Sequence, residues 1–97
     1  MSRIDQTRLI FKARKLQKEL QREVITIEVG DGAVRIEITG EQKLKRIAID
    51  AERVDLEDIG QLERWLEEGV KEAIAKSQKL AAEKMQPLMG SLGNLGL

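Results

Sequence analysis

The chain has 97 residues, no Cys and no His, and 17 basic side chains that balance 17 acidic ones. This length fits one small domain with a single core. Without His or Cys there is no Ser-His-Asp or Cys-His nucleophile, no thiolate chemistry and no usual zinc site. One Phe and one Trp are also too few to stack successive bases. We therefore expect a protein that is not an enzyme and holds neither cofactor nor metal.

No segment is typical of a targeting or membrane-spanning stretch. The N-terminus lacks the apolar run of a signal peptide. The longest uncharged run, 85–97, is too short and too rich in glycine to cross a bilayer. We expect a cytoplasmic protein with no membrane partner.

The charges are distributed unevenly along the chain. Residues 1–23 carry a net charge of +4, residues 24–50 carry −1, residues 51–72 carry −5 and residues 73–97 carry +2. Such asymmetry says more about partners than the total of zero does.

Residues 5–23 are predicted to form a helix, because apolar side chains recur at helical spacing and neither Gly nor Pro interrupts them. The apolar stripe consists of Leu9, Ala13, Leu16 and Leu20. Basic side chains lie roughly opposite this stripe: Arg8, Lys12, Lys15, Lys18 and Arg22, with Arg14 at the margin. This face is either simply solvated or contacts phosphates. Glu19 alone breaks its positive sign, which favours phosphate contact.

Residues 24–50 are predicted to form a three-stranded antiparallel meander. Two alternating runs flank Asp31-Gly32, a pair typical of a type I′ turn. The resulting register sets Glu28 opposite Arg35, and the same logic sets Glu37 opposite Arg46. The loop at 40–42 is either tight, longer or bulged. The apolar face carries Ile25, Ile27, Val29, Val34, Ile36, Ile38, Ile47 and Ile49. Such a face has to be covered.

A long second helix is predicted over 59–86, with Asp58 as its N-cap and Pro87 as its end. The remaining residues, 87–97, mix Gly with Leu and are expected to form a flexible tail. The layout is α+β: an N-terminal helix, the meander and a long C-terminal helix, in one domain spanning 1–97.

The second helix also suggests a homodimer. Gly69, Ala73 and Ser77 recur every four residues on its apolar face and would let another helix approach closely. That helix is either helix one of the same chain or a second copy. We favour the second copy, with an interface made of Phe11, Trp65, Leu66, Gly69, Ala73, Ser77 and Leu80. Phe11 lies within the basic face, where a partner would cover it or it would wedge between base steps.

An acidic block precedes and opens this helix: Asp55, Glu57, Asp58, Glu63, Glu67, Glu68 and Glu72. It has no EF-hand spacing, which favours a solvated face over a cation site. Such a face would repel DNA from one side of the molecule.

Taken together, the sequence resembles the YbaB/EbfC family of nucleoid-associated proteins. The resemblance covers almost the whole chain. It is carried by Gly32-x-Val34-x-Ile36-x-x-x-Gly40, by Ile47-x-Ile49-Asp50, by Asp55-Leu56-Glu57-Asp58-Ile59, and by Lys84-Met85 with Leu88-Met89-Gly90-Ser91-Leu92-Gly93. The chain differs from many relatives in lacking a Gly- and Met-rich N-terminal tail and in carrying Arg and Lys in helix one.

The resemblance implies a homodimer with projecting helical arms that binds double-stranded DNA with limited sequence preference and organises or compacts the chromosome in the nucleoid. It also implies that DNA contacts lie on the terminal helices, here Arg8, Lys12, Arg14, Lys15, Lys18, Arg22, Lys76, Lys79 and Lys84. The alternative is a dimeric protein-interaction module in which the arms and the leucine-containing tail grip a helical protein partner.

Overall fold

A computed structural model describes the backbone of residues 3–93 and the side chains of residues 6–90. The elements are α1 (Arg3–Arg22), β1 (Val24–Val29), β2 (Val34–Thr39), β3 (Leu44–Ile49), a 3-10 turn (Ala51–Arg53) and α2 (Ile59–Gly93). This order confirms the predicted α+β fold.

The first hairpin has the predicted register. β1 pairs with β2 so that Glu28 lies opposite Arg35, and their side chains form a 3.3 Å ion pair. Asp31 and Gly32 have φ of 56° and 88°, and the Ala33 amide donates to the Gly30 carbonyl at 3.2 Å. Positive φ at both central residues is the property that favours Asp-Gly here.

The second hairpin is bulged. Glu37 lies opposite Arg46 as predicted, but the register then shifts so that Ile38 lies opposite Leu44. The extra residue belongs to β3, and Gln42 in the preceding loop has a φ of 62°. Leu44 shares a face of the sheet with its partner Ile38. Because of the bulge, Ile47 lies on that same face although it is three residues from Leu44.

α2 covers β1 and β2 but not β3. The core contains Ile27, Val34, Ile36 and Ile38 from the sheet and Ala73 from α2. On β3, however, the side chains of Leu44, Ile47 and Ile49 are 53%, 40% and 48% exposed. One third of the apolar face therefore has no cover from the described part of its own chain.

The small residues of α2 pack against this sheet. A Cβ atom at Gly69 would lie 2.7 Å from Ile36 Cδ1, and Ala73 and Ser77 are fully buried. Asp58 caps α2 as predicted, because its Oδ1 accepts from the Gln61 amide at 3.1 Å.

The predicted end of α2 at Gln86 is wrong, because the helix continues through Pro87 to Gly93. A proline inside a helix removes one backbone donor and costs about 3 kcal/mol. Leu88, the next residue, is buried, and it lines a groove against Leu16 of α1. Packing of this last part of α2 on α1 offsets the local cost. The rest of the predicted tail, 94–97, lies outside the described residues.

Ser77 joins α2 to the loop between β2 and β3. Its hydroxyl donates to the Thr39 carbonyl at 2.7 Å and accepts from the Gln42 backbone amide at 3.0 Å and from Gln42 Nε2 at 3.2 Å. The bond to the Thr39 carbonyl is buried, whereas the two bonds to Gln42 are partly exposed to solvent.

Replacing Ser77 with Ala should lower the free energy of unfolding by about 1–2 kcal/mol, since the buried loop groups lose their hydroxyl partner. Urea denaturation at fixed protein concentration measures this. The matched control is Gln78→Ala, an exposed neighbour on α2, which should change the value by less than about 0.5 kcal/mol. Equal midpoints for Ser77→Ala and the wild type would contradict the role given to the hydroxyl.

Candidate nucleic-acid interface

The two helices form an arm that projects beyond the sheet. α1 runs antiparallel to the last part of α2, since Lys84 lies near Glu23 while Leu88 lies near Lys12 and Leu16. The molecule is accordingly elongated, with extents of 64 × 21 × 14 Å. Leu20 is the most buried described side chain of α1, and the other described side chains of this helix are half-buried or exposed.

The six basic side chains of α1 that the structure describes are exposed. Within residues 6–90 none of the six forms an ion pair: Arg8, Lys12, Arg14, Lys15, Lys18 and Arg22. At about 1.5 Å per residue, Arg8 and Arg22 are roughly 21 Å apart along the helix axis. The arm thus presents a row of free cations to solvent.

Two glutamates at the end of α1, Glu19 within the helix and Glu23 just after it, lie beside Lys84 of α2. Glu23 and Glu19 lie 3.1 Å and 3.9 Å from the ammonium group of Lys84. Both glutamates are half-buried, unlike the basic residues of α1. This arrangement pairs two negative charges near the end of α1 with a lysine of α2, whereas the six basic side chains of α1 within residues 6–90 have no such partner.

The three predicted DNA contacts on α2 differ in their surroundings. Lys84 is held by the two glutamates just described, and Lys76 lies 3.3 Å from Glu72. Lys79 is exposed and has no ion pair within residues 6–90. Lys84 and Lys76 would have to leave carboxylate partners to meet a phosphate, whereas Lys79 would not.

The residues of the predicted dimer interface differ in their exposure to solvent. Phe11 is 62% exposed, while Trp65, Leu66 and Leu80 are half-buried. Gly69, Ala73 and Ser77 pack against the sheet of their own chain. An intact protomer cannot offer these three to a partner, because a small-residue ridge accepts a sheet as readily as a helix.

The acidic block lies around the start of α2 and is largely exposed. Within this block the pKa of Glu67 is lowered by a hydrogen bond from Lys71 and by that residue's charge, while the pKa of Lys71 is raised in return. No group of three or more metal-ligating side chains comes together among the described residues. In the same part of the chain, neither helix is apolar enough over a sufficient length to cross a membrane.

Two basic residues near the arm are not identified from the sequence when net charge is summed over long segments. Lys43 and Lys45 lie in a groove together with Arg22, at the end of α1. The net charge of −1 over residues 24–50 conceals them. A signal was present in the sequence, since residues 43–46 contain three basic side chains out of four.

Gly40 allows this end of α1 to meet the β2–β3 loop. Its amide donates to the Leu20 carbonyl at 2.9 Å and to the Glu23 carbonyl at 3.1 Å, which satisfies the free carbonyls of the helix end. A Cβ atom at this position would lie 2.8 Å from Leu20 Cδ2 and 3.0 Å from the Leu20 carbonyl oxygen. Only glycine permits such close approach.

Sequence comparison agrees with this geometry. The profile of the YbaB/EbfC DNA-binding family matches residues 6–92, which include both helices of the arm and the whole sheet. The chain belongs to this family.

YbaB/EbfC relatives from distant bacteria are similar over most of the chain. A nucleoid-associated protein of Ruminiclostridium cellulolyticum is 37% identical over 84% of this chain and 70% of its own length. One from Corynebacterium jeikeium is 37% identical over 99% of both chains. One from Chloroflexus aurantiacus is 35% identical over 84% of this chain and 82% of its own length.

Gly40→Ala should destabilise this YbaB/EbfC chain by about 1–3 kcal/mol, because the new methyl group collides with Leu20. Amide hydrogen exchange in α1 should accelerate more than exchange in β1 and β2. The control is Gly90→Ala in α2, where no atom lies within 4 Å of the new Cβ. That change should leave stability unchanged or raise it by up to about 1 kcal/mol. Unchanged exchange in α1 of Gly40→Ala would refute the role of this contact.

Proposed function

We propose that this protein binds double-stranded DNA as a homodimer, mainly through phosphate contacts with limited sequence preference, and so organises or compacts the chromosome. The observation that carries the proposal is the row of six exposed cations on α1, which have no ion pair within residues 6–90. Membership of a DNA-binding family and the names of the relatives support it. The same names support a place on the nucleoid in the cytoplasm.

Phosphate contact suits this row better than base readout does. Arg and Lys on an exposed helix neutralise phosphates and release counterions, whatever the sequence of the duplex. Phe11 is the only aromatic residue of α1, so the helix offers no more than one ring to insert between base steps. The row of about 21 Å is shorter than one turn of B-DNA, roughly 34 Å, so two arms would extend the contact.

A homodimer is supported by the uncovered face of β3. Leu44, Ile47 and Ile49 continue the core of the sheet outward, beside Val34 and Ile36, which are fully buried. A second copy using the same patch would bury both sets of residues in a self-complementary interface. This patch replaces the small-residue ridge as the proposed centre of the dimer, and Phe11 and the half-buried Trp65, Leu66 and Leu80 remain candidates at its margin.

Removing two cations from the arm should weaken DNA binding. In Lys15→Ala/Lys18→Ala, affinity for a random-sequence duplex should fall about 5- to 20-fold near 0.1 M salt. The slope of log affinity against log salt should also decrease by about 1.8 per protomer, or 0.9 for each lost phosphate contact. Fluorescence anisotropy at several salt concentrations measures both.

The matched control is Arg64→Ala/Lys71→Ala, which removes two exposed cations from the outward side of α2 near the acidic block. It should change affinity by less than about twofold. If both double variants lose the same affinity, net charge alone and not the arm governs binding. If the wild type shows no binding at low salt, the DNA proposal fails and the protein-interaction alternative takes its place.

Ile47→Glu should shift the protein from dimer toward monomer, because two charged groups would meet in the proposed interface. Sedimentation velocity over a concentration series measures the change. Leu56→Glu is the control, since Leu56 is 74% exposed and lies outside the sheet. Circular dichroism checks folding, and Ile47→Thr, which keeps a β-branched side chain, should weaken the dimer more mildly. A fully dimeric Ile47→Glu protein would exclude this face as the interface.

A further inference from the structure

A second basic surface lies where α1 ends beside the β2–β3 loop. The groove there has a volume of about 690 Å³ and opens widely to solvent. Its charged lining consists of Arg22 from α1, Lys43 and Lys45 from the start of β3, and Glu41 from the loop. Gln21, Val24, Thr39 and Leu44 complete it.

The groove is held by bonds that tie three elements together. Gly40 donates to the last turn of α1, as described above, and the Lys43 amide donates to Thr39 Oγ1 at 3.2 Å. Ser77 of α2 fixes Gln42 between them. The backbone beneath Lys43 is therefore well anchored although the lysine side chain itself extends into solvent.

The charges of the groove favour an anion. Three cations surround one carboxylate, and within residues 6–90 neither Arg22, Lys43 nor Lys45 forms an ion pair. Since Arg22 also ends the basic row of α1, the row and the groove form one continuous positive surface. This surface turns a corner, from the arm onto the sheet.

Apart from Leu44, which lines the groove and also belongs to the proposed dimer face, the groove lies away from that face. Val24 and Thr39 are cross-strand partners, and both alternate with Ile25 and Ile38, which point toward α2. The groove therefore opens on the side of the sheet opposite α2, whereas Ile47 and Ile49 lie on the same side as α2. A second copy seated on Ile47 and Ile49 would therefore cover the other side of the sheet from most of the groove, with Leu44 at the boundary between the two.

We propose that the sugar-phosphate backbone of the DNA held by α1 continues into this groove, where Lys43 and Lys45 each contact a phosphate and Arg22 bridges the two surfaces. This inference rests on the proposed DNA-binding function and adds a contact on the sheet to those on the helices. The occupant fits because the surface is extended, positive and poor in aromatic rings, which are the requirements of a phosphate backbone and not of exposed bases.

The first test compares Lys43→Ala/Lys45→Ala with the wild type, with Lys15→Ala/Lys18→Ala and with the control Arg64→Ala/Lys71→Ala. The groove variant should lose about 5- to 20-fold in affinity near 0.1 M salt, and its salt slope should fall by about 1.8 per protomer. Both replaced side chains are exposed, so the fold should be kept, and circular dichroism and thermal unfolding check this.

The outcomes separate the two proposals. If the arm variant weakens binding while the groove variant matches the wild type in affinity and slope, the groove contact is overturned and the proposed function stands. If the wild type does not bind DNA at low salt, both fall.

A second test uses the absence of cysteine from the sequence. Lys43→Cys or Lys45→Cys, coupled to a photocrosslinker, should form crosslinks with duplex DNA, and Lys71→Cys should form few. Crosslinking at 43 and 45 no stronger than at 71 would overturn the proposal.

Discussion

The arrangement of the whole molecule depends on one buried hydroxyl and one missing side chain. Ser77 bonds α2 to Thr39, the last residue of β2, and to Gln42 in the following loop, and Gly40 between these two residues receives the end of α1. Both contacts need close approach, which only a small residue permits at either point. The angle between the arm and the sheet, and hence the position of every cation on α1, is set at this junction.

α2 performs two tasks in succession along its length. Its first half lies on β1 and β2 through Gly69, Ala73 and Ser77, and its last part supports α1 through Lys84 and Leu88. The change from one task to the other falls at the junction. Lys84 has an electrostatic role in this arrangement, since it pairs with Glu19 of α1 and with Glu23 just after that helix, beside the exposed cations of α1.

The parts of the fold set by local chemistry were predictable, and those set by tertiary packing were not. The Asp-Gly turn and the alternation around it predict the register of β1 and β2 because both are properties of neighbouring residues. Pro87 predicts a helix end that does not occur, since the gain comes from Leu88 against a distant helix. For the site, helical spacing predicts the basic row on α1. The groove at Lys43 could not be predicted, because it exists only where α1 and β3 come together.

The separation of charge along this elongated chain has a consequence for its motion near DNA. A chain of zero net charge has no overall attraction to a polyanion, so its electric dipole becomes the leading influence. The acidic block surrounds the start of α2, and the basic row lies beside its far end, within a molecule 64 Å long. Within about one Debye length of a duplex, roughly 8 Å at physiological salt, the electric field of the DNA would exert a torque on the protein. This torque would turn the arm toward the DNA and the acidic end away from it. Orientation would then precede contact, and a large share of collisions would begin with the correct end.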